Sequence, residues 1–184
     1  MRPAYRAQLF ADFGFDERHT PMRVIIHDLD TNFEKILKTK CDQLIYASGK
    51  YAGCQGCFGC WTKHPAECFI HDNLRYICRT VGRADELIII TENCYGTYSP
   101  AVKAIIDRSI GLSTPLSTYR GGQMHHTLRY GEHEMIKVYV YGDILEQERT
   151  TFEQIAKRNA INYGYRGSQV VFVEHPEQLA GVIE

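Results

Sequence analysis

Six residues in the middle of the chain, Glu86 to Thr91 (ELIIIT), do most to limit its fold. Their centre is apolar without a break, so the strand they form must be buried on both faces. That is the setting of a central parallel strand, covered by helices above and below. Parallel neighbours need crossover connections of about a dozen residues or more, usually helical. The flanking sequence supplies both kinds of element. Arg23 to His27 (RVIIH), Gln43 to Ala47 (QLIYA), Met135 to Tyr141 (MIKVYVY) and Gln169 to Val173 (QVVFV) read as further strands.

Helix signals lie between them. Thr31 and Glu34 have the spacing of a capping box, ahead of an apolar face made by Phe33, Ile36 and Leu37. Leu74, Ile77, Cys78 and Val81 recur at helical spacing, with Asp72 placed to cap and Gly82 to terminate. Ser99-Pro100 opens a third helix, lined by Val102, Ile105, Ile106 and Ser109 and stopped at Gly111. Phe152 to Tyr163 gives a fourth, closed by Gly164. Leu112 to Glu132 shows neither period and reads as a long irregular stretch. Repeated strand–helix alternation predicts an α/β fold: a flavodoxin-like three-layer sandwich on a five-stranded parallel sheet, order 2-1-3-4-5. Ligands of such sheets sit at the carboxyl ends of the strands, which marks the loops after His27, Ala47, Thr91 and Tyr141.

The 184 residues form one domain, expected over 22–184, behind an N-terminal arm over 1–21 that carries Leu9, Phe10, Phe13 and Phe15. With 21 Lys and Arg against 22 Asp and Glu, the net charge of −1 excludes a generic nucleic-acid binder. No apolar run approaches the roughly 18 residues of a membrane span, and the N-terminus lacks the apolar centre of a secretory signal. The expectation is a cytoplasmic protein with reduced thiols.

Four of the seven cysteines, Cys54, Cys57, Cys60 and Cys68, form C-x2-C-x2-C-x7-C in a glycine-rich loop. Repeated two-residue gaps let thiolates from one loop converge, the pattern of [4Fe–4S] ligation. Zinc, which usually takes two separated pairs, and metal-free loop thiols are the other readings. Gly53, Gly56 and Gly59 would free the backbone to turn. Cys78 lies on an apolar helix face and reads as core, Cys41 as inert, and Cys94 as a loop thiol near the carboxyl-end site.

The runs GCQGCFGCWTKHPAECFIHDNL (53–74) and ADELIIITENCYGTYSPAVKAIIDRSIG (84–111) resemble the flavodoxin-like family of NADPH-dependent FMN reductases and iron–sulfur flavoproteins. Cys54, Gly56, Cys57, Cys60, Trp61, Cys68 and Asp72 match the first family segment. Asp85, Thr91, Gly96, Ser99, Lys103, Ile106, Asp107 and Arg108 match the second. The resemblance implies FMN at the strand carboxyl ends and an NAD(P)H or ferredoxin-type donor. It also implies a small-molecule electron acceptor, a homodimer or homotetramer, and in one branch a [4Fe–4S] cluster on the four cysteines.

Two segments depart from the family pattern. Where relatives hold the FMN phosphate after the first strand, this chain has His27-Asp28-Leu29-Asp30-Thr31-Asn32. His27, Thr31 and Asn32 can serve a phosphate, or simply end a strand and cap a helix. Asp28 and Asp30 repel it, at about 4 kcal/mol for like charges 4 Å apart at an effective dielectric of 20. The crossover to the second strand is also short, which abbreviates the first helix. In the flavin-contacting loop, Glu92 replaces a proline and Cys94 a tyrosine, while Thr91, Asn93, Tyr95, Gly96 and Thr97 remain able to contact an isoalloxazine ring. Tyr95 can stack on a flavin or cover the core edge.

Lesser candidates are His125, His126 and His133, read as a solvated loop cluster or subunit contact rather than a metal site. Asp107-Arg108 reads as an ion pair or interface element, and Tyr119 to Gly122 as a weak nucleotide-phosphate motif. No catalytic residue is assigned, since in an FMN-binding oxidoreductase the cofactor carries the chemistry. Two rivals follow from the departures: a degenerate fold member without FMN, serving as a metal-binding or interaction module, and an iron–sulfur electron carrier without flavin.

Overall fold

The fold is seen in a computed structural model that describes residues 21–120 and 122–183. In chain order the elements are β1 (Arg23–His27), α1 (Glu34–Lys38), β2 (Gln43–Tyr46), α2 (Ile77–Gly82), β3 (Glu86–Cys94), β4 (Thr97–Tyr98), α3 (Pro100–Arg108), β5 (Ser113–Arg120), β6 (Gln123–Leu128), β7 (His133–Tyr141), α4 (Glu146–Tyr163) and β8 (Tyr165–Val173). The main sheet runs β2-β1-β3-β7-β8, and these five strands are parallel throughout. Counted by themselves, they have the order 2-1-3-4-5 expected from the sequence. The arm expected over residues 1–21 falls outside the described residues, except for Pro21.

Burial explains why β3 is central. Leu87 to Thr91 are at most 1% exposed, with alternate residues feeding two different cores. Leu87 and Ile89 join Val24, Ile26, Val138 and Val140 under α2, α3 and α4. Ile88 and Ile90 join Ile25 and Tyr139 under α1 and the C-terminal 3-10 segment Pro176–Gly181, through Leu37, Leu179 and Ile183. Helical cover on both faces leaves the two ends of the sheet for function. Among the described residues no helix is long and apolar enough to cross a membrane.

Local signals succeed where they have one reading. Ser99 caps α3, its Oγ accepting the Val102 N–H at 3.3 Å, with Pro100 in the first turn. Gly164 ends α4 in the left-handed conformation at φ 88°. Several expectations need correction. Thr31 does not form a capping box, because residues 31–33 are a 3-10 turn and the Thr31 hydroxyl donates to Asp30 instead, at 3.2 Å. Ile36 is 46% exposed, since a five-residue helix presents only Leu37 squarely to the sheet. The second helix begins at Ile77, after a turn in which the Asp72 carboxylate accepts the Leu74 N–H at 2.9 Å.

Gly111 is no terminator: α3 ends at Arg108 and passes into the 3-10 segment Ser109–Leu112. Its missing side chain serves close packing, since a Cβ there would lie 2.8 Å from both the Cys60 Cβ and the Cys78 Sγ. The stretch expected to be irregular, Leu112 to Glu132, contains the antiparallel hairpin β5–β6. Most of its residues are exposed or half-exposed, so the alternation of apolar and polar residues that reveals a half-buried strand is weak.

Candidate functional site

The site is built by an overrun of β3. The strand pairs with β7 as far as Glu92 opposite Tyr141, leaves the sheet through Asn93 and Cys94, and turns back into β4. The turn is Tyr95-Gly96, both left-handed at φ 53° and 78°. Two consecutive left-handed residues make the tight turn that matches strand twist. A tyrosine at such a position is uncommon outside functional or strained sites. Here it is 90% exposed at the hairpin tip.

Asn93 fixes this hairpin against the start of α4. Its side-chain amide donates to the Asp143 carbonyl at 2.8 Å and to Glu148 at 3.1 Å. Its carbonyl oxygen accepts the Gly96 N–H at 3.0 Å. Glu148 also accepts the Leu145 N–H at 3.0 Å, so the loop after β7 is tied to the same carboxylate. Thr91 is fully buried beneath the hairpin, its Oγ1 accepting the Ser99 N–H at 2.9 Å. Between hairpin and loop lies an open cleft of about 590 Å³, lined by Glu92 to Tyr95, Ser99, Pro100, Asp143 to Leu145 and Glu148. It is acidic, holding Glu92, Asp143 and Glu148 without a lysine or arginine.

Gly96 is pinned twice, by its positive φ and by a neighbour. A Cβ there would lie 3.2 Å from the backbone of Glu148. Gly96→Ala is therefore expected to cost about 2 kcal/mol and to push the hairpin off α4. Urea unfolding followed by circular dichroism checks the first, and amide hydrogen exchange over Asn93 to Thr97 the second.

The loop after β1 does not form an open phosphate cradle. The Asp28 carboxylate accepts the Glu92 N–H at 3.1 and 3.2 Å and the Tyr141 hydroxyl at 3.1 Å. An acceptor group thus already takes donors that an anion would seek. Burial, followed by the Asp28 charge, raises the Tyr141 phenol above its ordinary range, so it stays a neutral donor. Thr31 and Asn32 are exposed in the 3-10 turn. His27 is buried at the end of β1 against Tyr46, with both ring nitrogens unpartnered. Burial lowers its pKa, so it brings no standing positive charge to the loop. The loop after β1 thus opposes a phosphate dianion, whereas the hairpin borders an open cleft.

The sequence-expected residues therefore separate into two groups. Thr91, Glu92, Asn93, Cys94, Tyr95, Gly96 and Thr97 are brought together in the β3 overrun and hairpin. His27, Thr31 and Asn32 lie at the end of β1 and the following turn, outside the cleft lining. Sequence reasoning missed Asp143, Leu145 and Glu148 as lining residues and Tyr141 as a partner of Asp28. The loop after Tyr141 was marked as a carboxyl-end loop, and that positional rule was the signal available.

Cys54, Cys57, Cys60 and Cys68 line one small cavity of about 110 Å³, together with Arg108. No three His, Cys, Asp or Glu among the described residues stand close enough to hold a metal ion. The loop that carries the cysteines is well anchored. The Trp61 indole donates to the Ile110 carbonyl at 3.0 Å, and the Cys68 N–H donates to the Arg75 carbonyl at 2.8 Å. Gly56 is the one glycine of the expected three in the left-handed region, which Phe58 and Ala66 also enter. Cys60 and Cys78 are buried neighbours: the contact with Cys78 lowers the Cys60 thiol and, with burial, raises Cys78, whose own thiol donates to the Arg108 carbonyl at 3.2 Å.

Beneath this cavity Arg108 is buried, and Asp72 grips its guanidinium with both carboxylate oxygens, one contact measuring 2.7 Å. Arg108 thus forms the ion pair expected for Asp107-Arg108, but with Asp72, while Asp107 pairs with Lys103 at 2.6 Å. The three histidines do not cluster. His125 meets Asn162, His126 packs on Trp61, and His133 bonds the Gly82 carbonyl.

No protein-family profile matches the chain, and no curated protein matches it in sequence. Solved structures do match in shape. An FMN-dependent NADH-azoreductase from Bacillus anthracis, in complex with FMN, gives a TM-score of 0.54 at 11% identity, over 89% of this chain and 94% of that one. An NAD(P)H:quinone oxidoreductase from Methanothermobacter marburgensis gives 0.53 at 13% identity, over 89% and 94%. An apo NADH:FMN oxidoreductase gives 0.51 at 15% identity, over 89% and 87%. At these identities the likeness is one of fold, and the chain is an α/β protein of the flavodoxin-like architecture.

Proposed function

We propose that the chain is a flavin-dependent oxidoreductase that holds the FMN ring at the β3 hairpin and its phosphate only weakly. The observation that carries this reading is the cleft at the carboxyl ends of β3 and β7, where this fold places its ligand. The flavin-dependent reductases that share the shape support it. When bound, FMN accepts electrons from a nicotinamide nucleotide or ferredoxin-type donor and yields them to a small acceptor.

The protein's own part is positional. Asn93 sets the hairpin amides and holds the cleft to its width against α4. Tyr95 offers an exposed ring for stacking, while Asp143 and Leu145 form the opposite wall. Asp28 keeps the phosphate end loose, so the flavin exchanges rather than remaining resident. Titration of FMN fluorescence with the purified chain tests this: quenching with a Kd in the micromolar range is expected. An absence of quenching at 100-fold higher protein contradicts it.

A second reading has its own observation. The engagement of Asp28 with Glu92 and Tyr141 also fits a fold member that takes no flavin and works through its cysteine loop as a metal-binding or interaction module. In that reading the four cysteines that line one cavity would have to draw together to hold a [4Fe–4S] cluster or zinc, since among the described residues no three of them converge as they stand. Iron and acid-labile sulfide near four per chain after anaerobic purification, lost in Cys57→Ser, would favour it.

A further inference from the structure

A second, larger groove of about 850 Å³ lies between α4 and the β5–β6 hairpin, bounded by the start of β8. It shares no lining residue with the cleft at the β3 hairpin. Its charge is also opposite. Arg120, Lys157, Arg158 and Arg166 face it, with Glu132 the one carboxylate of the lining. Arg166 is neutralised by Glu132 at 3.5 Å and Glu134 at 2.7 Å.

The other three cations have no carboxylate within ion-pair distance among the described residues. Arg158 donates to the Gln123 side chain at 2.8 Å, and Arg120 to the His126 carbonyl at 3.3 Å. The Arg120 Nε is buried and has no acceptor. A guanidinium N–H shielded from water normally has an oxygen to meet, and two forked arginines beside a lysine match phosphate oxygens. Three unpaired cations in one groove of a chain of net charge −1 also concentrate positive potential there. Ile155 and Ile161 supply an apolar wall next to the cations. The volume lies within the roughly 300–1,000 Å³ of small-molecule sites.

We propose that this groove binds a small ligand with a di- or triphosphate group, of the nucleoside diphosphate class. Arg120, Lys157 and Arg158 hold the phosphates, and the uncharged part rests against Ile155 and Ile161. The site is independent of the flavin cleft and does not rest on the flavin reading.

Isothermal titration of the full chain with ADP, inorganic pyrophosphate and adenosine tests it. ADP is expected to bind at least 100-fold more tightly than adenosine. Lys157→Gln and Arg158→Gln, both exposed and on a helix, should each weaken ADP about tenfold while leaving circular dichroism and FMN quenching unchanged. Pyrophosphate that binds as tightly as ADP supports the phosphate site and assigns the ligand to inorganic polyphosphate. Pyrophosphate at least tenfold weaker than ADP assigns it to a nucleotide. Absence of binding by both at millimolar concentration, adenosine binding equal to ADP, or unchanged affinity in both variants overturns it.

Discussion

Asp72→Asn is expected to lower the stability of the chain by about 3 kcal/mol, the low end of what removing one partner from a buried ion pair costs. The Arg108 side chain has no solvent exposure, so it cannot recover hydration when its carboxylate is lost. Asp72 is 26% exposed and can recover part of its own. The reverse change, Arg108→Met, should therefore cost less than Asp72→Asn. The double variant should regain part of the loss, because it leaves no buried charge without its partner. Urea midpoints for the two single variants and the double variant measure this. The pair also sets an acid limit. The hydrogen bonds from Arg108 hold Asp72 below its ordinary value of 3.8, so the folded state binds the proton less readily than the unfolded one. The stability from this pair is complete above the unfolded pKa and is lost as pH falls through the lower folded value. Below pH 3.8 the difference between wild type and Asp72→Asn should accordingly shrink.

Asp28→Asn acts on the site rather than the fold. A carboxylate about 4 Å from a phosphate costs about 4 kcal/mol at an effective dielectric of 20, and solvent at the mouth of the loop reduces this to about 2 kcal/mol. The variant should bind FMN about thirtyfold more tightly. Asparagine still offers an oxygen to the Glu92 N–H and the Tyr141 hydroxyl, so the loop should keep its shape. Riboflavin has no phosphate, and its affinity should not change. Equal tightening of both flavins would mean that Asp28 acts on the cleft rather than on the phosphate.

The sheet was legible because burial on two faces leaves an unbroken apolar run such as Leu87 to Ile90, and because Gly164 and Ser99 each have one structural use. The β5–β6 hairpin was not legible, since an exposed ribbon buries no regular face and so writes no clear period. The capping box failed for a related reason: Thr31 found a nearer partner in Asp30, and α1 is too short to hold its register. At the site, the sequence marked the β3 loop by position and named its residues. It did not show that β3 continues outward as a hairpin, because Asn93 takes its role from Asp143 and Glu148, 50 and 55 residues away. The repulsion expected of Asp28 was legible as charge, whereas its hydrogen bonds with Glu92 and Tyr141 depend on contacts 64 and 113 residues apart.

Flavin binding at the β3 hairpin is tested most directly by parallel fluorescence titrations of FMN and riboflavin with the full chain. Both flavins should be quenched, with riboflavin bound at least as tightly as FMN, and Gly96→Ala should weaken both about equally. Quenching of neither flavin, or FMN bound tenfold or more tightly than riboflavin by the unmodified chain, would contradict a site that grips the ring and repels the phosphate.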